Sequence, residues 1–319
     1  MPSLSKHHIA LIVPCYNEEA AIATVIQDFQ RAIPSISIYV FDNNSTDRTQ
    51  EVARSAGATV FQVQKKGKGN VVRRMFADID ADYYIMVDGD ATYDASCAGD
   101  MVNRLIADNL DMLVGCRTDG GEKDNYRRGH RFGNRLLTGS VKNIFGGEFT
   151  DMLSGYRVFS RRYVKSFPSL SVGFEIETEL TVHALEMAMP YGEMDTTYGA
   201  RPEGSASKLS TYRDGIRILR TIGRLYMFER PLACFSLISV LLALLALILA
   251  TPLLIDYLDN GMVPRLPTAI LATGLAIVSL LMFVAGIILD SLTRARREMR
   301  RFAYLAVPLH RTPKRDAQA

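Results

Sequence analysis

The chain is expected to be an α/β protein with a mostly parallel sheet, followed by an amphipathic helix and a two-helix membrane hairpin. Three observations point there. Short β-branched and aromatic runs alternate with helix-patterned stretches, the order that builds parallel sheets with right-handed crossovers. Each run ends abruptly in loop-forming residues, as strands do where open α/β sheets hold ligands. Towards the C-terminus, Leu232–Ile255 and Leu266–Leu289 carry no charged residue, each long enough to cross a bilayer core.

The elements follow in order. Ile9–Val13 is a buried strand, broken at Pro14-Cys15-Tyr16-Asn17. Asn17 is a candidate N-cap for a helix Glu18–Ile33, with Glu18 and Glu19 suited to its first turn. Ile36–Phe41 is a second strand closing at Asp42. A polar loop, Asn43–Asp47, leads into a helix through Ala56 that Gly57 ends. Thr59–Val63 is a third strand, and Gly67-Lys68-Gly69 opens a helix to about Ala81. Tyr83–Val87 is a fourth strand. The loops that follow these strands should bring Tyr16, Asp42, Lys68 and Asp88 to one crevice. A helix to about Asn109, a strand Met112–Cys116, a polar loop Arg117–Arg128 and a helix Gly129–Phe145 come next. Tyr156–Ser160 is a strand. Phe174–Ala188 is a helix whose Glu175, Glu177 and Glu179 read equally as a solvated face or as part of a site.

Composition narrows the class. The chain has 319 residues, enough for one catalytic domain and an appendage. Hydrophobic content is 48% and mean hydropathy +0.06, with the excess at one end. A net charge of +3 gives no argument for nucleic acid. Cys15, Cys97, Cys116 and Cys234 form no CxxC pair and read as small buried hydrophobes in a reducing compartment. Lys6-His7-His8 precede only a brief apolar run, so no secretory signal peptide is expected.

Between Arg201 and Arg230 basic residues outnumber acidic ones, and Arg213, Arg217, Arg220 and Arg224 recur at helical spacing. That pattern predicts a basic amphipathic helix lying at a membrane surface. The tail beyond the second apolar run carries Arg294, Arg296, Arg297, Arg300 and Arg301, whereas the loop between the runs sets Arg265 against Asp256 and Asp259. The positive-inside rule then places both ends in the cytosol and the loop outside. The expected division is 1–210 catalytic, 211–231 interfacial, 232–289 spanning (232–255 and 266–289), and 290–319 a basic cytosolic tail. Residence would be the inner, cytoplasmic membrane, multi-pass, with the catalytic domain facing the cytosol.

The sharpest chemical signal is Asp88-Gly89-Asp90 at the end of the fourth strand. Two carboxylates pressed together repel, and Mg²⁺ or Mn²⁺ relieves the conflict while leaving coordination positions for substrate phosphates. On its own the tripeptide is also ordinary turn chemistry. A cytosolic crevice with a divalent metal, tied to a membrane, suggests transfer from a soluble phosphorylated donor to a lipid acceptor.

These residues also carry a resemblance. V-P-C-Y-N-E (Val13–Glu18), D-N-N-S-T-D-R-T (Asp42–Thr49), G-K-G (Gly67–Gly69) and D-G-D (Asp88–Asp90) stand in the order found in glycosyltransferase family 2, with its Rossmann-like GT-A fold. D-M-L-S-G-Y-R (Asp151–Arg157), R-P-E-G-S-A-S-K (Arg201–Lys208) and two apolar spans make the whole similar to polyprenyl-phosphate glycosyltransferases, such as dolichyl-phosphate mannosyltransferase and the bactoprenol glucosyltransferases. The resemblance implies a nucleotide-sugar donor, best matched by a UDP-sugar, a polyprenyl-phosphate acceptor (undecaprenyl or dolichyl), contact with membrane lipids, and inversion at the sugar. It implies that Pro14, Tyr16, Glu18, Asp42, Asn44 and Lys68 line the nucleotide pocket. Asp88 and Gly89 would lie near the ribose or metal, and Asp90 would bind the metal. Arg131, Arg157, Arg201 and Lys208 would meet substrate, with Asp90, Asp151 and Arg131 as the catalytic set. Three positions depart from the pattern: Asn43 and Asn44, where a second acidic residue and a glycine are common, and Thr92, where some relatives have glutamine.

An acceptor phosphate is already ionised near neutral pH, so no strong general base is needed. The five histidines, His7, His8, His130, His183 and His310, accordingly form no triad. Other readings remain open at this level. A processive polysaccharide synthase would carry Q-x-x-R-W, and this chain has no Trp. A non-catalytic nucleotide-binding scaffold, a glycosyltransferase with another lipid acceptor, or a channel or flippase built as a homo-oligomer would each need a different assay to detect.

Overall fold

The computed structural model describes residues 4–119, 138–139, 141–142, 144–169, 171, 173, 175–202 and 211–308. The chain divides into two compact units, Met1–Ile222 with Arg300–Ala319, and Gly223–Met299.

The first unit is built on seven strands: β1 (Ile9–Cys15), β2 (Ser37–Asp42), β3 (Thr59–Gln62), β4 (Tyr83–Met86), β5 (Met112–Asp119), β6 (Arg157–Ser160) and β7 (Tyr191–Tyr198). Their order across the sheet is β3-β2-β1-β4-β6-β5-β7. β1 runs parallel to β2 and β4, and β2 parallel to β3. β6 is antiparallel to both β4 and β5, and β5 is parallel to β7. The sheet is therefore mixed but mostly parallel, two parallel blocks joined through one reversed strand. The central strands are buried on both faces, as their unbroken apolar runs require.

Helices α1 (Ile22–Ala32), α2 (Thr49–Ser55), α3 (Lys68–Asp78) and α4 (Ala98–Ala107) supply the crossovers. α1 packs Ile22, Val25, Ile26 and Phe29 inward, an i, i+3, i+4, i+7 stripe. Two shorter helices follow, α5 (Arg161–Ser166) and α6 (Ile176–Glu186).

Several expectations need correction. Asn17 does not cap α1, which starts at Ile22 with Ala21 at the cap position and no side-chain bond there. Asn17 adopts a left-handed φ of 53°, and its side-chain oxygen accepts from Thr46 N at 2.8 Å, tying the loop after β1 to the loop after β2. Glu19 likewise accepts from Arg48 N and Nε instead of serving the first turn of α1. α3 stops at Asp78, short of Ala81, because the Tyr84 hydroxyl holds the turn beyond it, donating to Ile79 O (3.0 Å) and accepting from Ala81 N (2.9 Å). β7 and α5 are additional to the elements that the sequence pattern predicts. β7 has a neighbouring strand on one side only, apart from a single bridge between Tyr198 and Tyr93, and is half-buried along most of its length, so an edge strand of this kind lacks the apolar run that marks a central one.

Beyond α7 (Thr211–Glu229), the second unit holds most of two long helices, α8 (Pro231–Asn260) and α9 (Leu266–Leu305). Both are long and apolar enough to cross a bilayer. α9 runs past Leu289, where the apolar segment ends. Its charged continuation keeps helical pairing, with Arg294 bonded to Asp290 one turn earlier at 2.9 Å. In α8 the buried residues include Ser239, Ala246 and Leu253, and in α9 they are Ala272, Ser279, Gly286 and Thr293. Both sets recur every seven residues, a seam of mostly small side chains that lets two helix backbones approach closely. Ser239 and Ser279 each donate to the other's carbonyl, at 2.9 and 2.8 Å.

Candidate active site

The carboxyl ends of β1, β2 and β4 and the N-terminus of α3 build one corner of the sheet. Cys15 pairs in register with Asp42, and β1 extends beyond the end of β4 to meet the turn at Asp88-Gly89-Asp90. Glycine is required in that turn: a Cβ at Gly89 would lie 2.6 Å from Cys15 Sγ. Gly155 is equally constrained, because a Cβ there would lie 2.6 Å from Asp88 Oδ2.

The two carboxylates differ. Asp88 keeps 31% of its side chain exposed, whereas Asp90 keeps 6%. Asp90 accepts from the Thr92 hydroxyl at 2.6 Å and pairs with Arg201 Nη2 at 2.7 Å. Burial raises the Asp90 carboxyl above its usual range, and the nearby charge of Asp88 adds to this, against the pull of Thr92 and Arg201; Glu18 raises it further.

Asp88 pairs with Lys68 Nζ at 2.5 Å, and the same ammonium is 2.5 Å from Glu177 Oε1 on α6. Burial on its own would lower the Lys68 ammonium. The two carboxylates outweigh it and raise it. Burial also raises Glu177, with Lys68 acting against that shift. Two carboxylates thus share one charged ammonium.

Other expected residues support this corner. Glu18 is buried, with its N–H donating to Thr49 Oγ1 at 2.9 Å. Pro14 lies on β1 opposite Phe41, and Tyr16 is 38% exposed just beyond the strand. Asp42 is fully buried and accepts from Ser45 N and Gln50 Nε2. Asn44 takes a left-handed φ of 62° and donates to Gln64 O. Asn43, a departure from the expected pattern, holds the lysine loop. Its amide donates to Val63 O and Lys65 O, and its oxygen accepts from Gly67 N at 2.7 Å.

Two of the expected residues bond chiefly within the protein. Arg157 is fully buried, donating to Ser154 O, Met152 O, Glu177 O and Thr181 Oγ1. It braces the floor of the site, since its donors are spent on the protein. Asp151 faces Arg117, which reaches it through Nε at 2.7 Å and Nη2 at 2.8 Å. A bidentate partner of this kind holds Asp151 and Arg117 in one fixed geometry. Arg131 and Lys208 lie outside the described residues, as does His130.

Among the described residues no group of three His, Cys, Asp or Glu side chains forms a metal cage. The donor set nonetheless suits a hard divalent cation. Two carboxylates crowd one turn, and such ions bind through one or two carboxylates with substrate phosphates and water completing the shell.

Comparison with known proteins places this corner in a family. The model for "Glycosyl transferase family 2" matches residues 10–167. The glycosyltransferase AglJ of Haloferax volcanii is 33% identical over 292 residues, covering 91% of this chain and 95% of AglJ. The chain belongs to glycosyl transferase family 2. A dolichyl-phosphate hexose transferase of the same organism is 26% identical over 222 residues, covering 70% of this chain and 95% of that protein. Among solved structures, a glucosyl-3-phosphoglycerate synthase from Mycobacterium tuberculosis, in complex with Mn²⁺ and UDP-glucose, superposes with a TM-score of 0.57. It is 21% identical, and the match covers 69% of this chain and 80% of that one. This likeness establishes a GT-A-like fold.

Within this family 2 glycosyltransferase, sequence pattern alone leaves Glu177 undecided between a solvated face and a site, and gives Arg117 only as the start of a loop. A signal for Glu177 was present. Successive helix positions turn by about 100°, so carboxylates at 175, 177 and 179 cannot share one solvated face. All of Ile176–Ala184 is in fact buried. Glu179 accepts from Ser171 N and Glu175 from Gly173 N, leaving Glu177 for Lys68.

Proposed function

We propose that the chain transfers a sugar from a nucleotide-sugar donor, best matched by a UDP-sugar, to polyprenyl phosphate, with inversion and with Mg²⁺ or Mn²⁺. The observation that carries this reading is the pairing of Asp88 with Lys68 and of Asp90 with Arg201. Two carboxylates suited to a metal stand beside two cations suited to a diphosphate. The names of the relatives support the acceptor, and the ligands of the solved relative support donor and metal.

In the proposed reaction an oxygen of the acceptor phosphate attacks the anomeric carbon. The bond to the nucleoside diphosphate breaks, and the leaving group departs with the electron pair. Asp88 and Asp90 would hold the metal, which when bound neutralises the leaving diphosphate. Lys68 and Arg201 add charge stabilisation, and Asp151 positions Arg117 at the crevice. No proton needs to be removed from an ionised phosphate. Pro14, Tyr16, Glu18, Asp42 and Asn44 form the nucleotide side of the pocket.

The two apolar helices fit a membrane-held enzyme whose acceptor is a lipid. In the proposed placement both helices span the inner membrane, with the catalytic unit in the cytosol. Purified full-length protein should glycosylate undecaprenyl phosphate from one member of a nucleotide-sugar panel. EDTA should abolish turnover, and Mn²⁺ or Mg²⁺ should restore it. Asp90→Ala should lower turnover by at least about two orders of magnitude, the scale of losing a charge-stabilising group. Unchanged turnover in Asp90→Ala would falsify the metal assignment.

A further inference from the structure

We infer that Glu177 is a positioning residue: it holds the Lys68 ammonium in the crevice when a divalent metal claims Asp88. The inference rests on the proposed metal site. Lys68 keeps only 10% of its side chain exposed, with Asp88 Oδ1 and Glu177 Oε1 each 2.5 Å from Nζ. A cation that must serve a phosphate cannot remain committed to the carboxylate that binds the metal. Asp88 is the more exposed partner, with 31% of its side chain open against 6% for Glu177. The outer carboxylate can therefore exchange its partner while the inner one stays.

The fold fixes the inner carboxylate in place. Glu177 is in the first turn of α6, and its own carbonyl accepts from Arg157 and from Thr181 Oγ1. Arg157 is fully buried and anchors the same backbone to Met152 and Ser154. The interior beneath the crevice thus presents Glu177 rigidly to Lys68. Replacing its charge would shift the bonding of the ammonium towards Asp88 and set Lys68 in competition with the metal.

The test is Mn²⁺ binding to the full-length, detergent-solubilised protein without nucleotide, followed by electron paramagnetic resonance. Glu177→Gln should weaken Mn²⁺ binding about tenfold, the scale of one charge-assisted hydrogen bond. Lys68→Met, which removes the competitor, should tighten it. The double variant separates positioning from a simple field effect. If Glu177 acts through Lys68, Glu177→Gln in the Lys68→Met background changes nothing. If it acts as a distant negative charge, it weakens Mn²⁺ there too, and the inference is overturned. Should Glu177→Gln not fold, Glu177→Asp retains the charge but withdraws it, and must show the same dependence on Lys68. A wild-type protein that binds no Mn²⁺ overturns the metal site itself, and this inference with it.

Discussion

At the scale of residues, burial decides chemistry here more than residue type does. His183 illustrates this away from the catalytic corner. It lies on α6 with the rings of Tyr163 and Phe167 at centroid distances of 5.4 and 5.2 Å and its Nε2 3.4 Å from Ser166 Oγ. Burial, with a smaller contribution from the charge of Arg300, lowers its pKa to about 3. An unfolded histidine titrates near 6.5, so below that pH the unfolded chain binds a proton that the native one refuses. The stabilisation from a neutral His183 is therefore present above about pH 6.5 and is lost progressively as pH falls towards 3. Between pH 7.5 and 5 the wild type should lose about 2 kcal/mol more than His183→Phe, which has no such proton to bind. Thermal unfolding of both proteins across that range checks it, and parallel pH profiles would contradict it.

At the scale of elements, two kinds of helix use opposite rules. α6 is buried almost all round, so each of its carboxylates must find a partner. α8 and α9 expose most of their large apolar side chains, Leu241, Leu244, Ile248, Leu281 and Ile288 among them, and bury mostly small ones every seventh residue. Gly286 shows how tight that seam is, since a Cβ there would come within 2.9 Å of Phe235 Cβ. Gly286→Leu should force the helices apart and lower the thermal midpoint of the solubilised protein. Ser279→Ala, which removes one of two reciprocal hydroxyl bonds, should cost only about 0.6 kcal/mol. Equal midpoints for Gly286→Leu and wild type would show that the close approach contributes nothing.

At the scale of the whole molecule, the proposed orientation rests on the arginines. Basic residues crowd the outer flanks of both apolar segments, and the loop between them has little net charge. The four native cysteines are buried or half-buried, so an introduced thiol can be followed separately. A cysteine replacing exposed Asn260 should react with an impermeant reagent applied to intact cells. One replacing exposed Ser55, at the end of α2, should react only after the cells are opened. The reverse pattern would overturn the proposed cytosolic placement.

The sequence by itself determined what depends on local period and composition. The alternating strands and helices, the motif order through Asp88-Gly89-Asp90, and the two apolar segments all follow from neighbours within a few positions. Tertiary structure decided what depends on distant partners. β6 turns antiparallel between β4 and β5, and β7 joins as an edge without an apolar run to announce it. Arg157 and Asp151, both polar residues in one motif, went to the interior and to Arg117 because buried donors and carboxylates must be satisfied wherever the fold places them. The same requirement joined Lys68 to Glu177, two residues far apart in the chain. Their charges meet only once α3 and α6 have packed, and no local pattern specifies that meeting.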